Sequence, residues 1–399
     1  MTPLLRQVRS IVREAVETGR LSRSPALWLA ERLLDPQVLG AVAEGAAESK
    51  RMACGEVVTV SRNVFIPLTN LCWDRCAYCT FAKLPDSPEA RTYSTDEVAR
   101  LVEGGVRTGC VEALFCLGDR PEVAYRAHRE WLAARGHAST AEHLLEACRV
   151  AVEGGLLPHT NAGVLRREEM LELRRWNASM GLMLESVSPR LRGRGMAHQY
   201  APDKEPALRL RMHEEAGELR IPFTTGMLLG IGENTTERVD TLLAIRDLAD
   251  RHGHIQEAII QPFHPKPGTR MRAVAPPGDD EVVAWVAMAR LLLGREVQVQ
   301  APPNLSPALL GRLLRAGVSD WGGVSPLTVD FINPEAPWPR LRELREQTEA
   351  AGQRLVERLP VYPAQLRRPE LFHPAFYETV RAFASAEGYA RPRVDQEAA

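Results

Sequence analysis

Lysine is nearly missing from this chain: Lys50, Lys83, Lys204 and Lys266 stand against 46 arginines. The arginines are scattered among acidic residues, which reads as a compositional bias and not as a basic block. Net charge is equally scarce, with 50 basic against 51 acidic residues, so no global field favours nucleic acid or an anionic membrane. Long apolar runs are lacking too. Residues 1–10 carry arginines but no apolar core of signal-peptide length, and the run Val282 to Leu293 is broken by Arg290 and too short to span, so no membrane segment is indicated. Seven cysteines, an odd number without regular pairing spacings, argue against a disulfide framework and for a reducing, cytoplasmic location. With 399 residues and 45% apolar content, the chain can bury one large barrel or two ordinary domains.

Three of the seven cysteines fall within eight residues. Cys72, Cys76 and Cys79 form a C-x3-C-x2-C array just past an apolar strand. Thiolates so spaced on a loop can converge on a soft metal centre; a cuboidal four-iron cluster normally takes four cysteines, so one iron here would keep an open position. A structural zinc site is the rival reading, and it needs four ligands. Cys54 lies eighteen residues upstream and His128 far downstream, so neither sits at finger spacing, which favours the open cluster.

Residues 1 to about 50 show helical periodicity, with Leu4, Leu5, Val8, Ile11, Val12 and Val16 on one stripe and Ser22-Arg-Ser-Pro25 expected to split two helices. From Val57 short apolar runs alternate with capped helical segments. Strands are expected at Val64–Leu68, Val111–Leu117, Leu156–Asn161, Ser179–Glu185, Pro222–Leu229, Glu257–Phe263, Val297–Gln300 and Val318–Gly322. Capping boxes at Ser94/Glu97 and Ser139/Glu142 open helices between them, and Asn234/Glu237 opens what reads as the longest helix. Because no G-x-G-x-x-G follows the first strand, the cadence indicates a TIM-like (β/α) barrel of six to eight parallel strands and not a Rossmann sheet. The expected division is a helical extension over 1–56, a barrel over 57–326 and a C-terminal cap over 327–399, with a charged helix from Leu341 to Leu359. Cys110, Cys116 and Cys148 read as core residues.

In such barrels function collects on loops after the carboxyl ends of the strands. The cysteine loop follows the first strand and Leu117-Gly118-Asp119 the second; Asn161 and Glu185 end the third and fourth, where capping of the next helix is the alternative role. Lys204 and Arg209 lie before and within the next helix, Gly226, Gly230 and Gly232 punctuate the fifth strand and its turn, and His264 and Lys266 lie on a proline-rich loop after the sixth as candidates to bind or protonate substrate.

The triad, with Tyr78 just before the last cysteine, resembles the radical S-adenosylmethionine (SAM) enzymes. More narrowly, Asn63 through Phe81 and Arg220 through Glu233 resemble the CofG subunit family of the 7,8-didemethyl-8-hydroxy-5-deazariboflavin synthases, over roughly Val57 to Pro326. The resemblance implies a radical SAM barrel in which Cys72, Cys76 and Cys79 hold three irons of a 4Fe–4S cluster and SAM chelates the fourth. It further implies cofactor contacts from Tyr78, from Gly118 and Asp119 where the family carries Gly-Gly-Glu, from Asn161, Glu185 and Arg209, and from Gly226 and Gly230 beneath the adenine. The activity implied is closure of a hydroxybenzyl–ribitylaminouracil adduct to a deazaflavin with loss of ammonia, a step of coenzyme F-420 biosynthesis. One triad in the chain then implies a separate CofH-type radical partner that makes the adduct, and an electron donor such as flavodoxin or ferredoxin. The adduct-forming family itself, or a menaquinone-pathway relative, is the alternative.

Overall fold

A computed structural model describes residues 1–393. Eight parallel strands close on themselves: β1 (Val57–Pro67), β2 (Glu112–Cys116), β3 (Leu157–Asn161), β4 (Ser179–Gly181), β5 (Phe223–Leu229), β6 (Ile255–Pro262), β7 (Gln298–Gln300) and β8 (Asp320–Val324), in sequence order and sealed by β8–β1 and β1–β2 pairing. Closure leaves both faces of each strand covered, which is why these segments read as apolar runs without alternation. The expected barrel is the observed fold.

The capping boxes at Ser94/Glu97 and Asn234/Glu237 form as the sequence suggests, each side chain accepting from the other residue's backbone N–H. The second of these opens an 18-residue helix, Thr235–His252, but the longest is Pro36–Cys54, with 19. Two other expectations change. The N-terminal stretch breaks at Gly19, in the left-handed region at φ 72°, and Ser22 starts the helix Arg23–Ala30 where a break was expected, because proline is tolerated in a first helical turn. Pro36–Cys54 then packs against the barrel helix Asp279–Leu293 within one continuous core.

The second change is at the other end. The charged helix stops at Ala350, and Arg354–Glu357 forms a ninth strand, β9, parallel to the first four residues of β1 and below the point where β2 takes over that edge. The chain that leaves β9 crosses beneath the barrel. Arg358 Nε and Nη2 donate to Asp320 at 2.7 and 2.9 Å, Nη2 also donates to Glu257 at 2.9 Å, and the Tyr362 hydroxyl donates to Glu257. Thr59 adds a bond to Asp320, and Ser61 one to Glu112. All of these groups are buried. Near the end of the described chain, Phe372 and Phe376 pack with Leu359 and Val361 against Val111, Leu157 and Ala178. Of the four lysines, Lys50 and Lys266 are buried and Lys204 is half-buried. No described helix is long and apolar enough to cross a membrane.

Candidate active site

The cysteine loop sits over the carboxyl end of the barrel, pinned by backbone bonds: Trp73 N–H to Asp119 O at 2.7 Å, Arg75 N–H to Tyr200 O at 2.8 Å, and Ala77 N–H to Ala197 O at 2.7 Å. The Arg/Gly-rich segment from Ser188 to Ala201 is therefore the clamp that shapes it. Gly118 packs against the same loop: a Cβ there would lie 1.9 Å from Leu71 O and 2.8 Å from Cys72 Cβ. Glycine is required for that approach.

Cys72, Cys76 and Cys79 line one cavity of about 220 Å³. Burial pushes the Cys72 thiol up to about 12 and Cys76 well above its ordinary value, so the pocket favours thiolates only with a cation to hold them. The backbone N–H of Asp119 donates to Cys72 Sγ at 3.2 Å, a bond of the kind that tunes iron–sulfur thiolates. Among the described residues the three cysteines do not form a set whose ligand atoms all lie within 4.8 Å of one another. A single tetrahedral ion needs such a set, whereas a cuboidal cluster takes its thiolates on separate corners. Donor set and spacing therefore fit a cluster better than zinc.

Tyr78, Gly118, Asp119, Asn161, Glu185 and Arg209 all line this cavity. Glu185 is its electrostatic focus. It sits in the left-handed region at φ 63°, fixed by its N–H to Gly226 O at 2.9 Å and by Leu228 N–H to its own carbonyl at 3.1 Å. Its carboxylate accepts from Tyr78, Lys204 and His198. Burial opposes the charge, but Lys204 and His198 outweigh it and hold Glu185 well below the ordinary carboxylate range.

A second charged group lies beside the cysteines. Arg120 Nε donates to Asp203 at 2.9 Å, Asp203 N–H to Asp74 at 3.0 Å, and Val164 N–H to Asp119 at 3.1 Å. Burial, with Asp203 and Asp74 nearby, raises Asp119 well above the usual carboxylate value. Arg209 is buried and committed to backbone carbonyls, Met183 at 2.9 Å and Asp203 at 3.1 Å.

Other sequence candidates lie off the cavity wall. Gly226 is a close-packing position, where a Cβ would meet Ile259 O at 2.4 Å. Gly230, at φ 93°, donates its N–H to Glu233 at 2.7 Å to shape the turn after β5. The Lys266 ammonium donates to Ile332 O and to Asn333 Oδ1 at 2.8 Å, tying its loop to the C-terminal region, and His264 is half-buried beside that anchor. Cys110 and Cys148 are buried as expected, but Cys116 is not simply core: its position at the end of β2 puts it on the cavity wall.

Cys116, Asn161, Gln261 and Ile332 also line an adjoining inner chamber of about 150 Å³ within the barrel. Its walls are aromatic (Phe65, Trp321 and Trp338) and amide-bearing (Gln261, Gln300, Asn304 and Asn333). Its carboxylate, Asp330, accepts four hydrogen bonds, from the backbone N–H groups of Ile332 and Asn333 at 2.9 and 3.0 Å and from the Asn304 and Asn333 amides at 3.0 Å each. Asn304 gives its remaining N–H to Ala336 O at 3.0 Å. That leaves Asn304 Oδ1 and Trp338 Nε1 buried without a partner, an acceptor and a donor on one wall. Sequence reading missed this chamber. Asp74, between two of the loop cysteines, was the one visible clue to the acidic group.

A family model described as the Radical SAM superfamily matches residues 66–245. The chain is 48% identical over 336 residues to the 7,8-didemethyl-8-hydroxy-5-deazariboflavin synthase of Methanopyrus kandleri, covering 84% of this chain and 100% of that protein. It is 50% identical over 313 residues to the FO synthase of Mycobacterium tuberculosis, covering 77% of this chain and 37% of that one. Among solved structures, the FeFe-hydrogenase maturase HydG from Carboxydothermus hydrogenoformans superposes with a TM-score of 0.73 at 17% identity, over 94% of this chain and 88% of that one. Methylornithine synthase (PylB) gives 0.68 at 14%, over 86% and 97%. At those identities the two structures speak for the fold alone.

Proposed function

Since the chain belongs to the radical SAM superfamily, among the 7,8-didemethyl-8-hydroxy-5-deazariboflavin synthases, we propose that it closes the hydroxybenzyl–ribitylaminouracil adduct to the deazaflavin with loss of ammonia, the CofG role in coenzyme F-420 biosynthesis. The observation that carries the finer reading is that the inner chamber offers no charged group free to pair with a ligand. A free amino acid such as tyrosine would bring a carboxylate and an ammonium into a space whose carboxylate is already saturated and whose remaining polar groups are amides. Burying those charges unpaired is costly. A flat uncharged heterocycle with an amide edge is matched instead: aromatic walls for its faces, and an acceptor at Asn304 and a donor at Trp338 for its rim.

In this reading Cys72, Cys76 and Cys79 would hold a 4Fe–4S cluster, with SAM bound beside it in the same cavity. The chemistry supplied by cluster and SAM when bound is one-electron reductive cleavage to a 5'-deoxyadenosyl radical. The chain's own part is placement. Glu185, with Lys204 and His198 neutralising it, and Asp119 offer the polar wall for the methionine end; Phe81, Leu228 and Ile332 keep water from the cavity; Asn161 and Gln261 stand where the cofactor cavity meets the chamber. Gly226 and Gly230 act through packing, and Lys266 through anchoring the 332–335 segment.

In the same proposal, adduct formation is assigned to a CofH-type radical centre distinct from the one triad of this chain; the match to the FO synthase, which covers 37% of that protein, is compatible with such a division. A fluorescence assay with three arms tests the proposal. Preformed adduct with SAM and a low-potential reductant is expected to give deazaflavin; tyrosine with ribitylaminouracil is expected to give none; adding the partner is expected to restore product. Product from tyrosine without partner would overturn the assignment.

Tyr78 separates binding from ligation. Tyr78→Ala removes a hydroxyl donating to the charged Glu185, a bond worth about 1.5–3 kcal/mol. SAM affinity is expected to fall by roughly ten- to a hundredfold while iron content stays at the wild-type level, read by equilibrium binding and iron quantification on one preparation. Lost iron with unchanged affinity would make Tyr78 a packing residue of the loop.

A further inference from the structure

A second metal-binding arrangement lies outside the cysteine cavity. Ser139 caps the helix Thr140–Glu153, which carries His143 and Glu146 three residues apart and hence on one face; the turn before it carries His137. One ring nitrogen of each histidine and a carboxylate oxygen of Glu146 all lie within 4.8 Å of one another. At the surface His137 Nε2 is 2.9 Å from Glu146. At depth His143 Nε2 lies 2.8 Å from the carbonyl of Tyr93. A carbonyl only accepts, so Nε2 carries the proton and the lone pair of the ring is on Nδ1. That nitrogen is buried and has no partner.

A backbone carbonyl fixing one ring nitrogen so that the other can ligate is the outer-shell arrangement of protein metal sites. Two imidazoles and one carboxylate are the donor types that zinc takes, and Glu146, half-exposed, leaves the outer side open for water as fourth ligand. Trp131, with its ring 5.1 Å from that of His143, walls the other side. An ordinary His137–Glu146 ion pair would account for the 2.9 Å contact but not for the orphaned nitrogen behind it.

We propose that His137, His143 and Glu146 bind one zinc-class divalent cation that staples the turn before Thr140 to its helix. None of the three lines the cysteine cavity, so the site is independent of the radical chemistry.

The test uses anaerobic protein with its cluster loaded, so that the loop cysteines are occupied, dialysed against zinc chloride and then desalted. Metal analysis is expected to find one zinc per chain beyond the cluster iron, and added zinc is expected to raise the melting temperature. Glu146→Gln, at a half-exposed side chain, and His137→Gln, at a ring mostly covered beside that of His143, are each expected to weaken zinc binding at least about tenfold and to abolish the thermal response, with iron unchanged and with the zinc-free melting temperature of Glu146→Gln at the wild-type value. Equal zinc content in wild type and both variants, or a wild type whose melting temperature ignores zinc, would overturn the proposal.

Discussion

Exchanging Cys76 for alanine is expected to give a folded, colourless protein with iron near background and no reductive cleavage of SAM. The fold should survive because the loop is held by backbone bonds on either side of the sulfur, Arg75 to Tyr200 and Ala77 to Ala197, which alanine keeps. The cluster should not, because the two remaining thiols give a four-iron cube only two protein ligands. Cys148→Ala is the control: that thiol is buried between Thr160 and Asn177, away from the cavity, and its loss should leave iron and the visible spectrum intact. Anaerobic iron and sulfide quantification with an absorption spectrum reads both. A Cys76→Ala protein that retains a full cluster and cleaves SAM at the normal rate would remove the triad from its assigned role.

The largest stability effect is expected at the opposite end of the barrel. Arg358→Met should cost about 3–5 kcal/mol near neutral pH, because it leaves Asp320 and Glu257 buried without the guanidinium that holds them. Burial already raises Glu257 to about 7 with Arg358 in place. In the variant Glu257 is pushed further up, and a carboxyl group whose folded value exceeds its unfolded one destabilises increasingly as pH rises above the unfolded value. The deficit should therefore shrink on acidification from pH 8 towards pH 5. Urea or thermal melts across that range measure it, and a variant as stable as the wild type at pH 8 would show the ionic plug to be dispensable.

The barrel was legible because several strands, β5 and the second half of β1 among them, are covered on both faces and announce themselves as short apolar runs, and because Ser94 with Glu97 and Asn234 with Glu237 mark helix starts by chemistry that acts within four residues. β9 was hidden for the opposite reason. Arg354 and Glu357 flank only Leu355 and Val356, and four residues after a charged helix offer no period of their own; what makes them a strand is the unpaired lower edge of β1. The cysteine loop could be read from spacing, Tyr78 from its place before the last cysteine in the family motif, and Asp119, Asn161 and Glu185 from their places at or just after expected strand ends. The partnerships of Glu185 could not, since Lys204, His198 and Tyr78 reach it from separate turns of the chain. Cys116 failed the same way: its neighbours in sequence are apolar, and only barrel closure places its side of β2 towards the cavity.

The scarcity of lysine acquires a practical meaning once the side chains are placed. Lys50 is spent on Gly55 O and Gln353 and Lys266 on the 332–333 segment, both buried, while Lys204 is half-buried against Glu185. Lys83 is the most exposed of the four; its ammonium pairs with Glu89, and its backbone bridges to Leu71 beside the first cysteine. Amine-directed labelling near neutral pH is thus expected to favour one side chain, apart from the chain's amino terminus, in a surface otherwise cationic through guanidinium. A fluorophore attached there would sit beside the segment that leads into the cysteine loop.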